Sequence, residues 1–136
     1  MIVADSPTSN SIKVVVADDD PTILRLIETA LPLAAPDIEI VATAQSVETL
    51  AKQLDEYQPD IVMVDRHFNS RDGLELGKDL RNRAPGSALV LWTGTASSEL
   101  AASASEAGFH SVVEKSADIE GLAQIIRSLA RAHSEE

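Results

Sequence analysis

The stretch Ile61-Val62-Met63-Val64-Asp65 places four consecutive apolar residues before a single carboxylate. An unbroken apolar run of this length predicts a strand that is buried on both faces, as in the middle of a parallel sheet. Asp65 would then lie at the carboxyl end of the strand, which is the edge where open α/β sheets bind ligands. On this segment alone, Asp65 could equally be a functional carboxylate or an acid that opens a turn.

Four other segments share the apolar, β-branched character of a buried strand. They lie at 12–17, 38–42, 88–93 and 111–114, and the alternation in the second of them favours a place near the sheet edge. Helical periodicity follows each strand, and side chains that can cap a helix mark the helix starts. The predicted caps are Asp20, Ser46, Ser97 or Ser98, and Asp118.

Consecutive predicted strands are separated by the length of one right-handed βαβ unit. The sequence therefore predicts an α/β fold, a doubly wound (βα)5 sandwich around a five-stranded parallel sheet. A polar loop at 66–72 separates Asp65 from a helix that begins near Gly73. We assign 12–132 to one domain, 1–11 to a flexible leader and 133–136 to a C-terminal tail.

The first predicted helix has an apolar stripe that ends at Pro32. Leu24 lies off this stripe, so we expect it to be exposed beside the acids that end the first strand, where a partner protein could contact it. The stripe consists of Ile23, Leu26, Ile27, Ala30 and Leu31.

The composition excludes several classes of protein. The 136 residues include 22 acidic and 11 basic side chains, and the net charge of −11 argues against direct binding of nucleic acid. No apolar run approaches the roughly 20 residues that a membrane span needs, and the N-terminus lacks a basic signal-peptide start. The chain has no cysteine, which fits a reducing compartment. We therefore expect a cytoplasmic protein.

Polar side chains collect at the predicted carboxyl edge of the sheet, because parallel strands end on the same side. Clustered carboxylates repel one another, and a hard divalent cation such as Mg²⁺ relieves that repulsion. A carboxylate nucleophile, a metal ion, a hydroxyl and an ammonium are the parts that phosphoryl transfer requires. The strand ends contribute Asp18, Asp19, Asp20, Asp65, Thr93 and Lys115.

The order and spacing of these motifs resemble the receiver (CheY-like) domains of bacterial two-component response regulators. The resemblance covers residues 12 to about 132 and is closest to the receivers of helix-turn-helix (NarL/LuxR-type) regulators. It is carried by Val-Val-Ala-Asp18-Asp19, Val-Asp65 followed by Asp72-Gly73, Leu-Trp-Thr93-Gly94, and Glu-Lys115-Ser116.

The resemblance implies a flavodoxin-like strand order, 2-1-3-4-5, and a role for each edge residue. Asp65 would be the phosphoacceptor, with Thr93 and Lys115 contacting the phosphoryl group. Mg²⁺ would be bound by Asp18, Asp19, Asp65 and the backbone carbonyl of His67.

The same resemblance implies a signalling function. A sensor histidine kinase or a phosphotransfer protein would donate the phosphoryl group, and the domain would then change conformation to control an output. No enzymatic activity is expected beyond self-phosphorylation and slow autodephosphorylation. A homodimer through the last two helices is possible, and Leu24 would be the contact for the kinase.

Two positions depart from the family pattern. Asn69 replaces the usual proline four residues after the phosphoacceptor, and Val112 replaces the aromatic residue three before the lysine, so switching could be altered. Two alternative functions follow from the residues. One is a haloacid-dehalogenase-like phosphatase that uses Asp18 and Asp20, and the other is a receiver-like interaction module that does not depend on phosphorylation.

Overall fold

The computed structural model describes residues 11–68, 70–116 and 118–134. Most of the predicted leader, the last two residues of the predicted tail, and Asn69 lie outside the described residues. The described part contains no helix that is both long enough and apolar enough to cross a membrane.

Five parallel strands form the central sheet, as the apolar runs predict. They are β1 (Ile12–Ala17), β2 (Ile38–Ala44), β3 (Ile61–Asp65), β4 (Ala88–Thr93) and β5 (Ser111–Glu114). Their spatial order is β2-β1-β3-β4-β5, which confirms the flavodoxin-like order. All five residues of β3 are buried because β3 lies between two other strands and is covered on both faces. β2 lies at the edge of the sheet, as its alternation predicts.

Helices cover both faces of the sheet. They are α1 (Pro21–Ala34), α2 (Val47–Tyr57), α3 (Gly77–Arg83, preceded by a 3-10 turn at Gly73–Leu76), α4 (Ser98–Ala107) and α5 (Ile119–Ser134). α1 and α5 pack on one face against alternate strand residues, and α2, α3 and α4 pack on the other. The predicted caps are confirmed, with Ser97 as the cap of α4.

The prediction of which face of α1 is buried was wrong, because the helix is rotated about its axis relative to the predicted orientation. Leu24 is only 5% exposed and packs in the core, whereas Leu26 is 57% exposed. The buried positions are Leu24, Ile27 and Leu31. This stripe has the same helical spacing as the predicted one, so periodicity alone could not choose between two adjacent faces of a largely apolar helix.

α1 also continues past Pro32 to Ala34, beyond its predicted end. Proline has helix-compatible φ, and although it removes one helical hydrogen bond and its ring crowds the carbonyl four residues earlier, Pro32 lies close to the end of the helix, where little of the helix is affected. The next turn still closes, because Ala35 N donates to the Leu31 carbonyl at 2.9 Å.

The segment after Asp65, predicted to be a polar loop, contains regular strand pairing. His67–Phe68 pairs with Arg71–Asp72 as a short antiparallel hairpin. The Phe68 side chain is fully buried against the α2–α3–α4 face. Asp72 accepts hydrogen bonds from Arg66 Nε at 3.2 Å and from Leu74 N at 3.0 Å, which ties the hairpin to the next turn.

Candidate functional site

Asp65 lies at the carboxyl end of β3 and is 5% exposed. Its Oδ1 accepts a hydrogen bond from His67 N at 3.2 Å, which orients the carboxylate over the sheet edge. The backbone directly after Asp65 is held by β4, since Arg66 N donates to the Trp92 carbonyl at 2.8 Å. A side chain at Gly73 would collide with the Asp65 carbonyl, so the glycine of the Asp72-Gly73 motif lets the chain pass close beside the site.

Lys115, just beyond β5, contacts Asp18, which follows β1, and Asp65, the last residue of β3. Its Nζ lies 2.9 Å from Asp18 Oδ2 and 3.2 Å from Asp65 Oδ1. The Lys115 side chain is about one quarter exposed, whereas Asp18 is fully buried. The ammonium therefore bridges two carboxylates from strands that are neighbours in the sheet.

The surroundings of the site shift the pKa values of both Asp65 and Lys115. Burial, and then the charge of Asp18, raise the pKa of Asp65 above its usual value, although the His67 N–H and Lys115 act in the opposite direction. Burial acts to lower the pKa of Lys115, but the hydrogen bond and charge of Asp18, followed by those of Asp65, outweigh it. The pKa of Lys115 is therefore raised.

Three carboxylates converge at this edge. One oxygen from each of Asp18, Asp19 and Asp65 lies within 4.8 Å of the other two. Asp19 is exposed, so the cluster opens to solvent on one side. Three acids beside a single ammonium leave a net negative charge, and hard oxygen ligands with an open side suit a Mg²⁺ ion that keeps several waters.

Asp20 does not join these three acids. Its Oδ1 accepts a hydrogen bond from Thr22 N at 2.9 Å and caps α1. The Asp20 backbone N–H also donates to Asp18 Oδ1 at 2.9 Å. The first acid of the phosphatase signature, Asp18, is fully buried and paired with Lys115, and the second is a helix cap. The arrangement therefore gives the phosphatase alternative neither an accessible nucleophile nor an acid placed to assist it.

Thr93 is the last residue of β4 and is 4% exposed. Its hydroxyl donates to the Thr95 carbonyl at 3.3 Å and accepts from Thr95 N at 3.4 Å. Lys115 N donates to the Thr93 carbonyl at 2.7 Å, which holds the two strand ends together. Thr93 is thus at the predicted edge, with its hydroxyl engaged in its own loop.

Two further residues that the sequence singles out are His67 and Val112. The His67 side chain is exposed and its backbone N–H points to Asp65, as described above. Val112 is half-buried on the α4 side of β5 and pairs with Leu91. The predicted role of the His67 carbonyl as a metal ligand stays a prediction.

Sequence reasoning gave no role to Glu114, although this residue is the first of the Glu-Lys115-Ser116 motif. Its Oε2 accepts a hydrogen bond from Ala96 N at 2.8 Å, in the loop between β4 and α4. Its Oε1 accepts from the Ser116 hydroxyl at 3.3 Å. The only available signal was an acid at the last position of a short apolar strand, which is not a specific pattern.

Comparison with known proteins gives matches along most of the chain. The sequence profile of the response regulator receiver domain matches residues 14–127. An uncharacterized response regulatory protein of Vibrio cholerae is 34% identical over 92 residues, which cover 68% of this chain and 34% of that protein. The DNA-binding transcriptional activator DevR/DosR of Mycobacterium tuberculosis is 31% identical over 121 residues, 89% of this chain and 52% of that one.

A solved structure agrees with these relatives. A two-component response regulator of the LuxR family from Aurantimonas sp. SI85-9A1 superposes with a TM-score of 0.77 and 27% identity, over 90% of this chain and 86% of that chain. The chain thus spans between a third and about half of the two curated relatives named here.

Proposed function

Because the chain belongs to the response regulator receiver domain family, the phosphoacceptor domains of two-component systems, we propose that Asp65 is the carboxylate that receives the phosphoryl group. The observation that carries the proposal is the ion pair of Lys115 with Asp65, beside a carboxylate cluster at the end of the central strand. Of the two acids that Lys115 contacts, Asp65 is the one that retains some exposure.

The transfer is an in-line displacement at phosphorus. An Asp65 carboxylate oxygen attacks the phosphorus of a phosphohistidine, a P–O bond forms as the P–N bond breaks, and the electron pair leaves with the imidazole nitrogen, which is then protonated. The His67 N–H orients the carboxylate. Lys115 neutralises negative charge on the transferred group, and its raised pKa keeps it protonated.

We further propose that Asp18, Asp19, Asp65 and the His67 carbonyl bind Mg²⁺. When bound there, the ion would supply positive charge that neutralises the phosphoryl oxygens. Asp18 has a second task, because its fully buried carboxylate holds Lys115 at 2.9 Å and so fixes the ammonium next to Asp65.

The direct test is to incubate the protein with Mg²⁺ and acetyl phosphate and to measure its intact mass. We expect a labile gain of one phosphoryl group in the wild type and none in Asp65→Asn. Asp79→Asn, which removes an exposed acid of α3, is the matched control and should be phosphorylated normally. Phosphorylation that persists in Asp65→Asn would contradict the assignment, and no uptake in the wild type would favour the phosphorylation-independent module.

Leu24 was predicted to be the contact for the kinase, but it is buried in the core, so we propose Leu26 on the exposed face of α1 instead. Leu26 is 57% exposed, in the second turn of the helix that begins beside the acids. We expect Leu26→Asp to slow phosphotransfer from a phosphorylated sensor histidine kinase of the same organism while leaving phosphorylation by acetyl phosphate unchanged. Equal kinase rates for the variant and the wild type would remove Leu26 from the interface.

Homodimerisation through the last two helices is a separate part of the proposal. Small side chains cover the exposed surface of α4, including Ala101, Ala102 and Ser105, and allow close approach of a second copy. Sedimentation with and without beryllofluoride tests it, since a dimer that forms only when Asp65 is occupied would link assembly to phosphorylation. A monomer in both states would exclude it.

A further inference from the structure

The loop between β4 and α4 is held from the neighbouring strand by a carboxylate. Glu114 is the last residue of β5, where it lies opposite Thr93 in the parallel ladder. Its Oε2 accepts the Ala96 N–H at 2.8 Å, three residues after Thr93. A hydrogen bond to an ionised acceptor is stronger than a neutral one, so this contact is a substantial restraint on a short loop.

The same loop engages the Thr93 hydroxyl. Thr93 Oγ1 donates to the Thr95 carbonyl and accepts from Thr95 N, at 3.3 and 3.4 Å. A hydroxyl has one proton, so Thr93 cannot donate to Thr95 and to a phosphoryl oxygen on Asp65 at the same time. Donation to the phosphoryl group therefore requires the hydrogen bond from the Thr93 hydroxyl to the Thr95 carbonyl to break. Thr95 lies next to Ala96, whose N–H is bound by Glu114.

We propose that Glu114 is a positioning residue whose hydrogen bond with Ala96 N, here called the latch, holds the β4–α4 loop in its unphosphorylated conformation. The latch thereby sets the free energy needed for the Thr93 hydroxyl to turn from Thr95 to a phosphoryl group on Asp65. The inference rests on the proposed function of Asp65. The latch stabilises the loop conformation in which the Thr95 carbonyl accepts a hydrogen bond from the Thr93 hydroxyl. Phosphorylation of Asp65 offers Thr93 a charged acceptor instead, and the equilibrium shifts when that new bond outweighs the restraint from Glu114.

The position of the latch also fits the absence of an aromatic switch residue. Val112 and Glu114 alternate along β5 and therefore lie on the same face, towards α4. Val112 has no ring that could swing between a buried and an exposed rotamer. Glu114 instead connects the end of β5 to the residue just before the Ser97 cap of α4, so release of Ala96 would alter how α4 begins.

The test measures the binding of beryllofluoride in the presence of Mg²⁺. The signal is the fluorescence of Trp92, a buried residue that precedes Thr93 in the chain. Removing a restraint on the resting state raises the fraction that is competent to bind. Glu114→Ala should therefore bind beryllofluoride ~5- to 10-fold more tightly than the wild type. Glu114→Gln keeps an oxygen acceptor without the charge and should fall between the two.

Two controls separate the latch from general effects. Glu99→Ala removes one negative charge from the first turn of α4 and should bind like the wild type. Nuclear magnetic resonance of the Ala96 amide should show faster hydrogen exchange in Glu114→Ala, which reports the broken contact directly. If Glu114→Ala binds beryllofluoride no more tightly than the wild type while the wild type responds through Asp65, the latch is refuted alone. A wild type that gives no Asp65-dependent response refutes the proposed function and the latch together.

Discussion

At the scale of the residue, the site depends on how one ammonium is shared between two carboxylates. Lys115 is bonded to both Asp18 and Asp65, and its backbone is tied to Thr93. The sequence predicts that these residues meet, because parallel strands end at one edge. It does not predict which acid Lys115 contacts, or that the Thr93 hydroxyl is turned towards Thr95, since both depend on side-chain rotamers and on loop paths that have no sequence signature.

Lys115→Met should destabilise the protein in a way that Mg²⁺ corrects. Without the ammonium, the acids repel one another and Asp18 remains buried without its partner. We expect the free energy of unfolding to fall by about 1–3 kcal/mol in the absence of Mg²⁺, since one partly exposed member of a buried pair is lost. Saturating Mg²⁺ should restore most of this loss, because the ion replaces the missing positive charge.

Urea denaturation with and without Mg²⁺ measures the difference. Lys78→Met, on the exposed side of α3, serves as the control and should be neutral in both conditions. A loss of stability in Lys115→Met that is the same with and without Mg²⁺ would mean that the lysine acts through packing of its aliphatic part.

The raised pKa of Asp65 gives a second prediction at this scale. Its causes are burial and the charge of Asp18, so ionising Asp65 is harder in the folded state than in the unfolded state. The contribution of Asp65 to folding therefore becomes less favourable as the pH rises from near 3.8 through the folded pKa, and is constant above it.

Asp65→Asn removes that cost, so in Mg²⁺-free buffer the variant should unfold at higher urea than the wild type at pH 7. The difference should shrink as the pH falls towards 3.8, where the wild-type carboxyl is also neutral. A variant that is less stable than the wild type at pH 7 would show that the contacts of Asp65 with Lys115 and His67 outweigh its desolvation.

At the scale of the element, the strands could be predicted more accurately than the helix faces. An apolar run such as that of β3 is compatible with few other environments, whereas α1 carries more apolar residues than one stripe needs. Leu26 and Leu33 are therefore left on the surface, and the stripe through Leu24 faces the sheet. The hairpin at His67–Phe68 and Arg71–Asp72 was missed because two-residue strands are too short to show any period.

The phase of α1 can be tested with two substitutions of the same kind. Leu24→Ala removes a side chain that is 95% buried, and we expect it to lower the free energy of unfolding by about 2–4 kcal/mol. Leu33→Ala, at a position 79% exposed on the same helix, should change it by less than about 0.5 kcal/mol. Equal effects in urea denaturation would mean that the helix does not sit in the orientation described.

At the scale of the molecule, contacts far apart in sequence join the two ends of the fold. The Arg127 guanidinium of α5 makes a paired contact with Asp37, which lies 90 residues earlier and just before β2. The distances are 2.8 Å from Nε to Oδ2 and 2.7 Å from the terminal nitrogen to Oδ1. No local pattern relates these residues, so only the assembled order of α1, β2 and α5 brings them together.

This contact predicts a component of stability that is sensitive to acid. The hydrogen bond with Arg127 is the largest effect on the pKa of Asp37 and lowers it below the usual value of 3.8. The carboxylate therefore contributes stability that is fully present above pH 3.8 and is lost as the pH falls through the lower folded pKa. Because both side chains are exposed, added salt should weaken the contribution.

Arg127→Gln should accordingly lower the melting temperature slightly at pH 7 and low salt, and the difference from the wild type should vanish in strong acid. Arg25→Gln, which removes a positive charge from the exposed side of α1, controls for the change in net charge. Thermal unfolding followed by circular dichroism at several pH values distinguishes the two variants. A deficit of Arg127→Gln that persists after Asp37 is protonated would assign the effect to the arginine side chain itself, because the ion pair no longer exists under that condition.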